Sequence, residues 1–398
     1  MKILVICQHY YPEPFRLNDI CEELVRRGHQ VSVITGTPNY PEGVVYKGYE
    51  KGKIKHEIIN GVEVFRCYEI PRKRGIFFRF LNYYSFAFSS KKLAKKLNGD
   101  YDVVFANQTS PIMMVDGAIA YKKKYGKKLI MYVMDLWPTS LKAGGVKENS
   151  FIYKHYKKVS NKKYNSADIL AVTTKGFMPY LKDNFNIDEK KLCFLPQYAE
   201  DLFSEIDVKK QPNEFIDLMF AGNIGKAQNV EGIIKSAVNL KNNKKIRFHI
   251  VGDGVSLENC KKIAKENNLE NVIFYGRKPL KEMPSLYKMA DAMLLTLTND
   301  EFSNLTLPGK VQSYMASSKP IIACINGAGA EVIKEANAGF ICQAENDDEL
   351  TCAIEKFSEL SKEEIIRFGE NSYNYYKQNF SKDKVIDKLV NLLESCKN

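Results

Sequence analysis

The sequence lacks the phosphate-binding motifs by which many nucleotide-dependent enzymes are recognised. Its first apolar run, KILVIC, leads into QHYYPEP and not into GxGxxG, so a nicotinamide-dependent dehydrogenase loses its main signal. No GxxxxGK[ST] loop occurs either. The nine cysteines contain no CxxC pair and the five histidines show no ligand spacing, so neither a zinc centre nor a disulfide framework is expected. No apolar run approaches the ~20 residues that span a bilayer, which leaves only peripheral membrane contact.

What is present is a long, basic and ordinarily hydrophobic chain. Its 398 residues exceed the size at which a single core stops growing, which favours two domains. The net charge of +12 favours anionic partners such as phosphorylated ligands or anionic lipid. No nucleic-acid-binding module is visible. The start, MKILVICQ, is interpreted as a first strand, and the unpaired cysteines fit a reducing cytoplasm.

Short apolar runs alternate with helical patterns along the whole chain. KILVIC, NDICEELVRRG and HQVSVIT form a βαβ unit, and a long loop rich in proline, glycine and tyrosine follows over residues 38–61. The alternation predicts an α/β protein with two doubly wound, Rossmann-like domains that face a central cleft. We expect one domain over residues 1–200, with a last helix near 381–398 packing back on it, and a second over 201–380.

Three predicted strands of the second half end in glycine turns. These are FAGNIGKAQ (220–228), VGDG (251–254) and FYGR (274–277). Glycine lets the backbone approach a ligand, and a helix that follows presents N–H groups to phosphate. Each turn alone is equally well explained as a tight turn. Three in one domain favour a nucleotide site.

The segment LPGKVQSYMASSKPIIA (307–323) is the most informative. Pro308 and Gly309 open a predicted helix, and Lys310 falls in its first turn. A lysine there opposes the helix dipole, which prefers anions at that end. A bound phosphate would resolve the conflict, because ammonium and N–H donors would converge on it.

The order of these segments, together with HYYPEP, RRGHQVSVIT, PNYPEG and MDLWP, resembles bacterial family-4 glycosyltransferases of the GT-B fold. The likeness covers nearly the whole chain. It is greatest to the group that adds N-acetylfucosamine-type sugars in O-antigen and capsule assembly. The resemblance implies retaining transfer from a UDP-sugar held by the C-terminal domain to an undecaprenyl-diphosphate-linked acceptor on the N-terminal domain.

The resemblance also implies donor-binding residues, with positive side chains and helix dipoles replacing a metal ion, so no cofactor is expected. The donor set is Arg16, Gly222, Asn223, Gly225, Lys226, Gln228, Gly252, Asp253, Gly254, Tyr275, Arg277, Pro308, Lys310 and Ser313. Two departures from the family stand out. Many relatives carry a ribose-binding glutamate where this chain has Ser313, and many have a Gly-Gly loop where this chain has EPFRLND. The one Asp-x-Asp, Asp100 and Asp102, is interpreted as a turn and not as a metal site.

Asp135 ends the predicted strand KLIMYVMD. An aspartate there can cap the next helix. The family often keeps His or Asp at this position, which implies that Asp135 takes up the acceptor proton or stabilises developing positive charge. Trp137, the only tryptophan, is interpreted either as a wall of the sugar pocket or as core.

Residues 71–96 combine bulky aromatic and basic side chains, as membrane-surface helices do. The alternative is an interior helix with a basic edge. The candidate acceptor or membrane residues are Arg74, Phe77, Phe78, Arg79, Tyr83 and Tyr84. We therefore expect a cytoplasmic protein bound peripherally to the inner face of the cell membrane, with a sugar-nucleotide donor, a lipid-linked acceptor and anionic lipid as partners.

Two other functions remain open from the sequence. A UDP-sugar epimerase shares the fold, but it would need several carboxylates in the cleft and no membrane-facing aromatic patch. A non-catalytic nucleotide-binding scaffold on the membrane would bind UDP without turnover, and loss of Asp135 would then have no effect.

Overall fold

The computed structural model describes residues 1–73, 75–203 and 213–397. The chain divides into two compact units. Unit 1 comprises Met1–Leu195 with Ile386–Asn398, and unit 2 comprises Pro196–Val385. The predicted bounds were residue 200 for the division and about 381 for the return of the last helix.

Unit 1 is built on an eight-stranded sheet. Its strands are β1 (Lys2–Ile6), β2 (Gln30–Thr35), β3 (His56–Ile59), β4 (Val62–Arg66), β5 (Val103–Gln108), β6 (Lys128–Val133), β7 (Ile169–Val172) and β8 (Leu192–Phe194). Its helices are α1 (Arg16–Arg26), α2 (Ile76–Ala94), α3 (Asp116–Tyr125), α4 (Phe151–Ser166) and α5 (Phe177–Phe185).

The strand order of this sheet is β3-β4-β2-β1-β5-β6-β7-β8, and all neighbouring pairs are parallel except β3 with β4. The central strands are buried along nearly their whole length because helices cover both faces of a parallel sheet. The order reverses between β1 and β5, which is where ligands bind in such sheets. The predicted loop over 38–61 was wrong at residues 56–59, which pair antiparallel with β4 as an edge strand.

Unit 2 is built on a six-stranded sheet. Its strands are β9 (Ile216–Ala221), β10 (Ile246–Val251), β11 (Val272–Gly276), β12 (Ala292–Thr296), β13 (Ile321–Cys324) and β14 (Gly339–Cys342). Its helices are α6 (Val230–Asn239), α7 (Leu257–Glu266), α8 (Met283–Met289), α9 (Glu301–Leu305), α10 (Gly309–Ala316), α11 (Ala328–Glu335), α12 (Asp347–Ser358) and α13 (Lys362–Asn379).

This second sheet is parallel throughout, in the order β11-β10-β9-β12-β13-β14. Its core is formed by apolar side chains of the strands against α6, α7 and α12, among them Leu218, Phe220, Ile233, Ile250 and Ile354. The order reverses between β9 and β12. The two parallel, doubly wound sheets confirm the predicted α/β fold class.

The last helix, α14 (Lys382–Ser395), begins in unit 2 and continues into unit 1. In unit 1 its Asp387 is ion-paired with Arg27, with 2.5 Å between Oδ1 and Nη1, and the Lys388 ammonium lies 5.4 Å from the Phe194 ring centre. Throughout the described part of the chain, no helix combines the length and the apolar character of a membrane-crossing segment.

Candidate active site

The glycine loops at the carboxyl edge of the unit 2 sheet are held together by backbone hydrogen bonds. The Gly222 N–H donates to Val251 O at 2.9 Å, and the Gly252 N–H donates to Gly276 O at 2.9 Å. The loops after β9, β10 and β11 therefore form one layered surface. A Cβ added at Gly252 would lie 1.8 Å from Gly222 O, and one added at Gly254 would lie 2.4 Å from Ile224 O. At these two positions only glycine allows the loops to approach so closely.

The Lys310 side chain lies across this surface. A Cβ at Gly222 would be 2.4 Å from Lys310 Cε, and the ammonium is 3.7 Å from the centre of the Phe220 ring. Among the described residues no carboxylate is paired with Lys310. Burial lowers the pKa of its ammonium to about 7. Protonation of Lys310 is therefore unfavourable until a bound anion supplies the opposite charge.

The helix that carries Lys310 is anchored to the sheet by the residue four positions later. The Tyr314 hydroxyl donates to Ala221 O and accepts from the Ala221 N–H, both at 3.2 Å, and the ring is fully buried. Pro308 precedes the first residue of α10, and Ser313 Oγ bonds only to Gly309 O within the helix, at 3.4 Å. Tyr314 was missed by the sequence analysis, although it stands in the same quoted segment.

The loop over 222–228 is also tied internally. Gln228 Oε1 accepts from Asn223 Nδ2 at 3.0 Å and from the Gly225 N–H at 3.2 Å. The Lys226 side chain is exposed. Asp253 is exposed as well, and its Oδ1 accepts the Gly254 N–H at 2.7 Å. The structure therefore brings the predicted residues of these two loops onto one surface.

Tyr275 and Arg277 lie at the end of β11, but the Tyr275 hydroxyl is hydrogen-bonded within the protein whereas the Arg277 side chain is exposed. The Tyr275 hydroxyl bonds to His249 Nδ1 at 2.8 Å, and His249 Nε2 bonds to Asp217 Oδ1 at 2.9 Å. The Tyr275 hydroxyl is thus engaged within the sheet face, and Gly276 meets the neighbouring loop through its backbone. The Arg277 side chain is exposed.

In unit 1, Asp135 follows β6 and lies beside the residue that follows the neighbouring strand β5. Ser110 Oγ donates to Asp135 Oδ2, while Oδ1 is buried without a hydrogen-bond partner among the described residues. Burial raises the pKa of this carboxyl. The short helix that follows, Thr139–Gly144, is preceded by Pro138, so Asp135 is not its N-cap. A carboxylate with one unpartnered oxygen is suited to accept a proton.

Trp137 belongs to the core of unit 1 and not to a pocket wall. The indole is 3% exposed, packs edge-on against Tyr156 at 5.4 Å, and donates from Nε1 to Ser110 Oγ at 2.6 Å. Ser110 thereby connects the indole to the Asp135 carboxylate. Of the two interpretations left open by the sequence, the structure supports core.

Arg16 is the first residue of α1 and is half-buried. Burial raises the pKa of Tyr132 on β6, and the charge of Arg16 opposes that shift. The charge of Arg16 therefore acts on Tyr132, the penultimate residue of β6, the strand that leads into Asp135.

A buried polar cluster, which we call the β1–β4 cluster, occupies the carboxyl ends of β1, β2 and β4. It consists of Gln8, His9, Glu13, Asn39, Glu69 and Asn82. Glu13 Oε2 bonds to His9 Nδ1 at 3.0 Å, and Glu13 Oε1 accepts the Asn39 N–H at 2.8 Å. The carboxylate thus joins HYYPEP to PNYPEG. Both motifs are marks of the family resemblance, but the contact between them was not predicted from the sequence.

Glu69 is the most strongly perturbed carboxyl of this cluster. Its Oε1 accepts from Asn39 Nδ2 at 2.5 Å and from Asn82 Nδ2 at 2.8 Å, whereas Oε2 lies against Gly36 without a partner among the described residues. Burial raises the pKa of Glu69 to about 7. No group of three His, Cys, Asp or Glu side chains in the described chain is arranged to hold a metal ion.

The predicted membrane residues lie on α2, except Arg74, which is outside the described residues. Phe77 is 69% exposed and Phe78 and Arg79 are also exposed, whereas Tyr83 is half-buried. The Tyr84 hydroxyl bonds to Tyr156 on α4 at 2.9 Å. The inner face of this helix is packed core and its outer face is aromatic and exposed, and contact with a membrane stays a prediction.

Two models of known protein families match the chain, one over each half. The sequence model for Glycosyltransferase Family 4 matches residues 16–197, and that for Glycosyl transferases group 1 matches residues 203–375. The chain is a family-4 glycosyltransferase. It is thus a transferase, and the part of the prediction that named this family is confirmed.

Three of the curated relatives of this family-4 glycosyltransferase are bacterial glycosyltransferases. It is 28% identical to the probable glycosyltransferase WbjE of Pseudomonas aeruginosa over 81% of this chain and 82% of that protein. It is 24% identical to the putative colanic acid biosynthesis glycosyl transferase WcaI of Escherichia coli K12, over 79% and 81%. It is 22% identical to a Campylobacter jejuni enzyme named as an N-acetylgalactosamine-N,N'-diacetylbacillosaminyl-diphospho-undecaprenol 4-alpha-N-acetylgalactosaminyltransferase, over 71% and 74%.

Solved structures confirm the GT-B fold of this family-4 glycosyltransferase. Anabaena HepE, solved in complex with UDP, superposes with a TM-score of 0.71 at 15% identity, covering 99% of this chain and all of that one.

Proposed function

We propose that this family-4 glycosyltransferase transfers a sugar, with retention of anomeric configuration, from a UDP-sugar to an acceptor linked to undecaprenyl diphosphate. The sugar is an N-acetylated 6-deoxyhexosamine such as N-acetylfucosamine, and the product is O-antigen or capsule polysaccharide. The observation that carries this proposal is the Lys310 ammonium, which lies across the glycine loops of unit 2 and has no carboxylate partner among the described residues.

A nucleoside diphosphate fits that surface for a physical reason. Burial without a counter-charge disfavours the ammonium form of Lys310, and two adjacent phosphates would supply the missing charge. The backbone of Gly222 and Gly252 leaves no side chain between the ligand and the loops. Lys226 and Arg277, both exposed, add positive charge in the same region. We assign charge neutralisation to these side chains and expect no metal requirement.

The names of the relatives support the proposed donor and acceptor. Anabaena HepE has the same fold and was solved with UDP, which supports uridine diphosphate as the nucleotide. The Campylobacter jejuni relative is named for a diphospho-undecaprenol acceptor, which supports a lipid-linked acceptor. The Escherichia coli relative is named for colanic acid biosynthesis, which supports a role in surface polysaccharide. The choice of N-acetylfucosamine rests on the sequence resemblance alone.

The reaction breaks the bond between the sugar anomeric carbon and the β-phosphate oxygen. UDP leaves with the electron pair, and the acceptor hydroxyl oxygen forms the new bond on the same face of the sugar. The hydroxyl proton must be removed as this bond forms. Asp135 is our candidate for its acceptor, because Oδ1 has no hydrogen-bond partner among the described residues and burial raises the pKa of the carboxyl above its ordinary value.

We further propose that the enzyme works in the cytoplasm on the inner face of the cell membrane. The first turn of α2 exposes Phe77, Phe78 and Arg79. Exposed aromatic and basic side chains together at one end of a helix suit the headgroup layer of an anionic bilayer. Such contact would bring the enzyme to a lipid-linked acceptor.

The decisive experiment measures UDP release from a panel of UDP-N-acetylhexosamines, with and without an undecaprenyl-diphosphate-linked acceptor. We expect release that depends on the acceptor, with the anomeric configuration of the product retained in its proton NMR spectrum. UDP release without acceptor, or a change in the donor sugar itself, would instead support the epimerase alternative.

The role of Asp135 is tested by Asp135→Asn, which keeps an acceptor for Ser110 Oγ but cannot take a proton. We expect kcat to fall by about 10²- to 10⁴-fold, with unchanged UDP affinity and melting temperature. Asp183→Asn, at an exposed carboxylate of the same unit, is the matched control and should retain full activity. Full activity of Asp135→Asn would remove Asp135 from the mechanism.

A further inference from the structure

A second charged feature of unit 1 lies away from the loops that carry Asp135. It is a groove of about 700 Å³ between α2, α3 and α4. Its apolar lining includes Ile119, Ala120 and Val159, and six lysines line it as well: Lys91, Lys95, Lys123, Lys124, Lys162 and Lys163. The single acidic lining residue is Asp116. The volume is that of an ordinary ligand site. We call this feature the lysine groove.

Two of the six lysines have structural partners. Lys163 is ion-paired with Asp116, and Lys124 Nζ donates to Lys95 O at 2.5 Å at the end of α2. The other four, Lys91, Lys95, Lys123 and Lys162, are exposed, and none is paired with a carboxylate in the described chain. Four unpaired ammonium groups beside one neutralised aspartate create a strongly positive groove.

The lysine groove is distinct from the candidate active site. Its lysines lie in the last two turns of α2, α3 and α4 or directly after them. In a parallel α/β sheet the helices run antiparallel to the strands, so these helix ends lie at the amino edge of the sheet. Asp135 and Ser110 lie at the carboxyl edge. The residues that line the groove include neither Asp135 nor Ser110.

The outer face of α2 continues the groove toward the carboxyl edge. Phe77, Tyr84, Phe88, Lys91 and Lys95 are spaced by 7, 4, 3 and 4 residues, which places them on one side of a helix. Phe88 is 73% exposed, and the Tyr84–Tyr156 hydroxyl pair joins α2 to α4. At the start of α4, Phe151 is 85% exposed. Exposed aromatic rings thus lie along the same two helices that carry the lysines.

We propose that the lysine groove binds the phosphate headgroups of anionic membrane lipids, with α2 and α4 lying together on the bilayer. Lysine ammonium groups complement lipid phosphate, the apolar floor accommodates the glycerol and upper chain, and Phe88 and Phe151 enter the interfacial layer. The inference deepens the membrane part of the proposed function and rests on it. It adds a defined headgroup site and assigns α4, which the sequence analysis had not considered, to the membrane face.

The test compares binding to phosphatidylcholine vesicles with and without phosphatidylglycerol. The groove variant is Lys91→Ala, Lys95→Ala, Lys123→Ala and Lys162→Ala combined. Each lysine near an anionic surface contributes a factor of roughly five, so we expect at least about 100-fold weaker binding to phosphatidylglycerol vesicles. The four corresponding Lys→Arg changes should restore binding, because they keep the charge.

A matched control removes the same charge elsewhere. Lys241→Ala, Lys245→Ala, Lys262→Ala and Lys265→Ala combined change exposed lysines of unit 2, including one in the last turn of α7. This variant should bind vesicles within about twofold of the wild type. A melting curve of both variants shows whether the groove lysines act only by stabilising helix ends.

The outcomes separate the inference from the function on which it rests. If the wild type binds phosphatidylglycerol vesicles but the groove variant binds equally well, the groove proposal is wrong and α2 alone makes the contact. If the wild type does not bind vesicles yet transfers sugar to a short-chain soluble acceptor, the membrane-binding proposal is wrong while the transferase proposal holds. Calorimetric titration with inorganic pyrophosphate of the wild type and of the groove variant, both saturated with UDP, completes the test, because saturable binding that the groove variant loses, without vesicle binding, would assign the site to a soluble anion.

Discussion

The loops at the carboxyl edges of the two sheets are held together by different kinds of contact. In unit 2 the loops meet through backbone, with Gly252 packed against Gly222 O and Gly254 against Ile224 O. In unit 1 the corresponding loops meet through side chains, with Glu13 bonded to His9 and Asn39, and Glu69 bonded to Asn39 and Asn82. Loops that meet through backbone atoms leave an open surface for a phosphate-bearing ligand. Loops that meet through side chains are instead held in place by those side chains.

The two constructions respond differently to substitution. A glycine packed on backbone has no alternative residue, so its replacement disturbs the whole edge. A polar network can exchange one hydrogen-bonding side chain for another. Where the network contains a buried carboxyl, however, its contribution to stability depends on pH. We therefore expect shape changes to dominate in unit 2 and pH to dominate in unit 1.

The largest effect should follow Gly252→Ala. The new Cβ would lie 1.8 Å from Gly222 O at a φ of 141°, so both a backbone clash and a strained conformation result. We expect a loss of about 4 kcal/mol in the free energy of unfolding of unit 2, measured by urea titration. Gly276→Ala, at positive φ but with open space around the new Cβ, isolates the strain and should cost only about 1 kcal/mol. Equal losses for both variants would contradict the close packing of the loops.

The next effect concerns Glu69 and pH. Burial raises the pKa of Glu69 from 4.5 to about 7, so the native state retains a proton that the unfolded chain has released. The free energy of unfolding should therefore fall by about 3 kcal/mol as pH rises from 4.5 to 7. Glu69→Gln should flatten this decline, while Glu42→Gln, at an exposed carboxyl of the same unit, should leave it intact. Identical pH profiles for the wild type and Glu69→Gln would exclude a neutral buried carboxyl.

A smaller effect is expected in the pH dependence of UDP binding. Burial lowers the pKa of Lys310 to about 7, and a diphosphate would favour the ammonium form. Binding above pH 7 should therefore take up a proton, and the affinity should fall by up to about tenfold per pH unit. Calorimetry in two buffers of different ionisation enthalpy measures this uptake. Proton uptake on UDP binding to Lys310→Met measures the part that is due to the UDP phosphates themselves. The same proton uptake in this variant as in the wild type would exclude Lys310 as the source of the proton uptake.

The smallest effect should follow Trp137→Phe. The change removes the indole N–H that donates to Ser110 Oγ while keeping an aromatic ring in the core. We expect a loss of about 1 kcal/mol in unfolding free energy, measured by urea titration. The Michaelis constant for the acceptor should be unchanged. A large rise in that constant with normal stability would return Trp137 to the wall of the sugar pocket.

The sequence predicts unit 2 better than unit 1 for the same physical reason. Glycine at strand ends and LPGK at a helix start are local patterns, so the loops over 222–228 and 251–254 could be recognised without knowing the fold. Glu13 and Glu69 are 56 residues apart and come together only through the order of β1, β2 and β4. No local pattern marks such a cluster. A polar residue directly after an apolar run, as in QH after β1, is the one signal that was available.

The edge strand β3 was missed for a related reason. Residues 56–59 alternate between exposed and half-buried side chains and pair with a single neighbour, so their apolar signal is weak. Ser110 shows the same limit within the site. Its role depends on Asp135 and Trp137, which follow a different strand, and nothing in the sequence around Ser110 indicates either partner.

The central claim is that Lys310 and the glycine loops of unit 2 bind the donor diphosphate, and calorimetric titration tests it most directly. The wild type should bind one UDP per chain in preference to ADP and GDP. Lys310→Met, with an unchanged melting temperature, should bind UDP at least about tenfold more weakly. Failure of the wild type to bind UDP, or equal UDP affinity in Lys310→Met, would contradict the account.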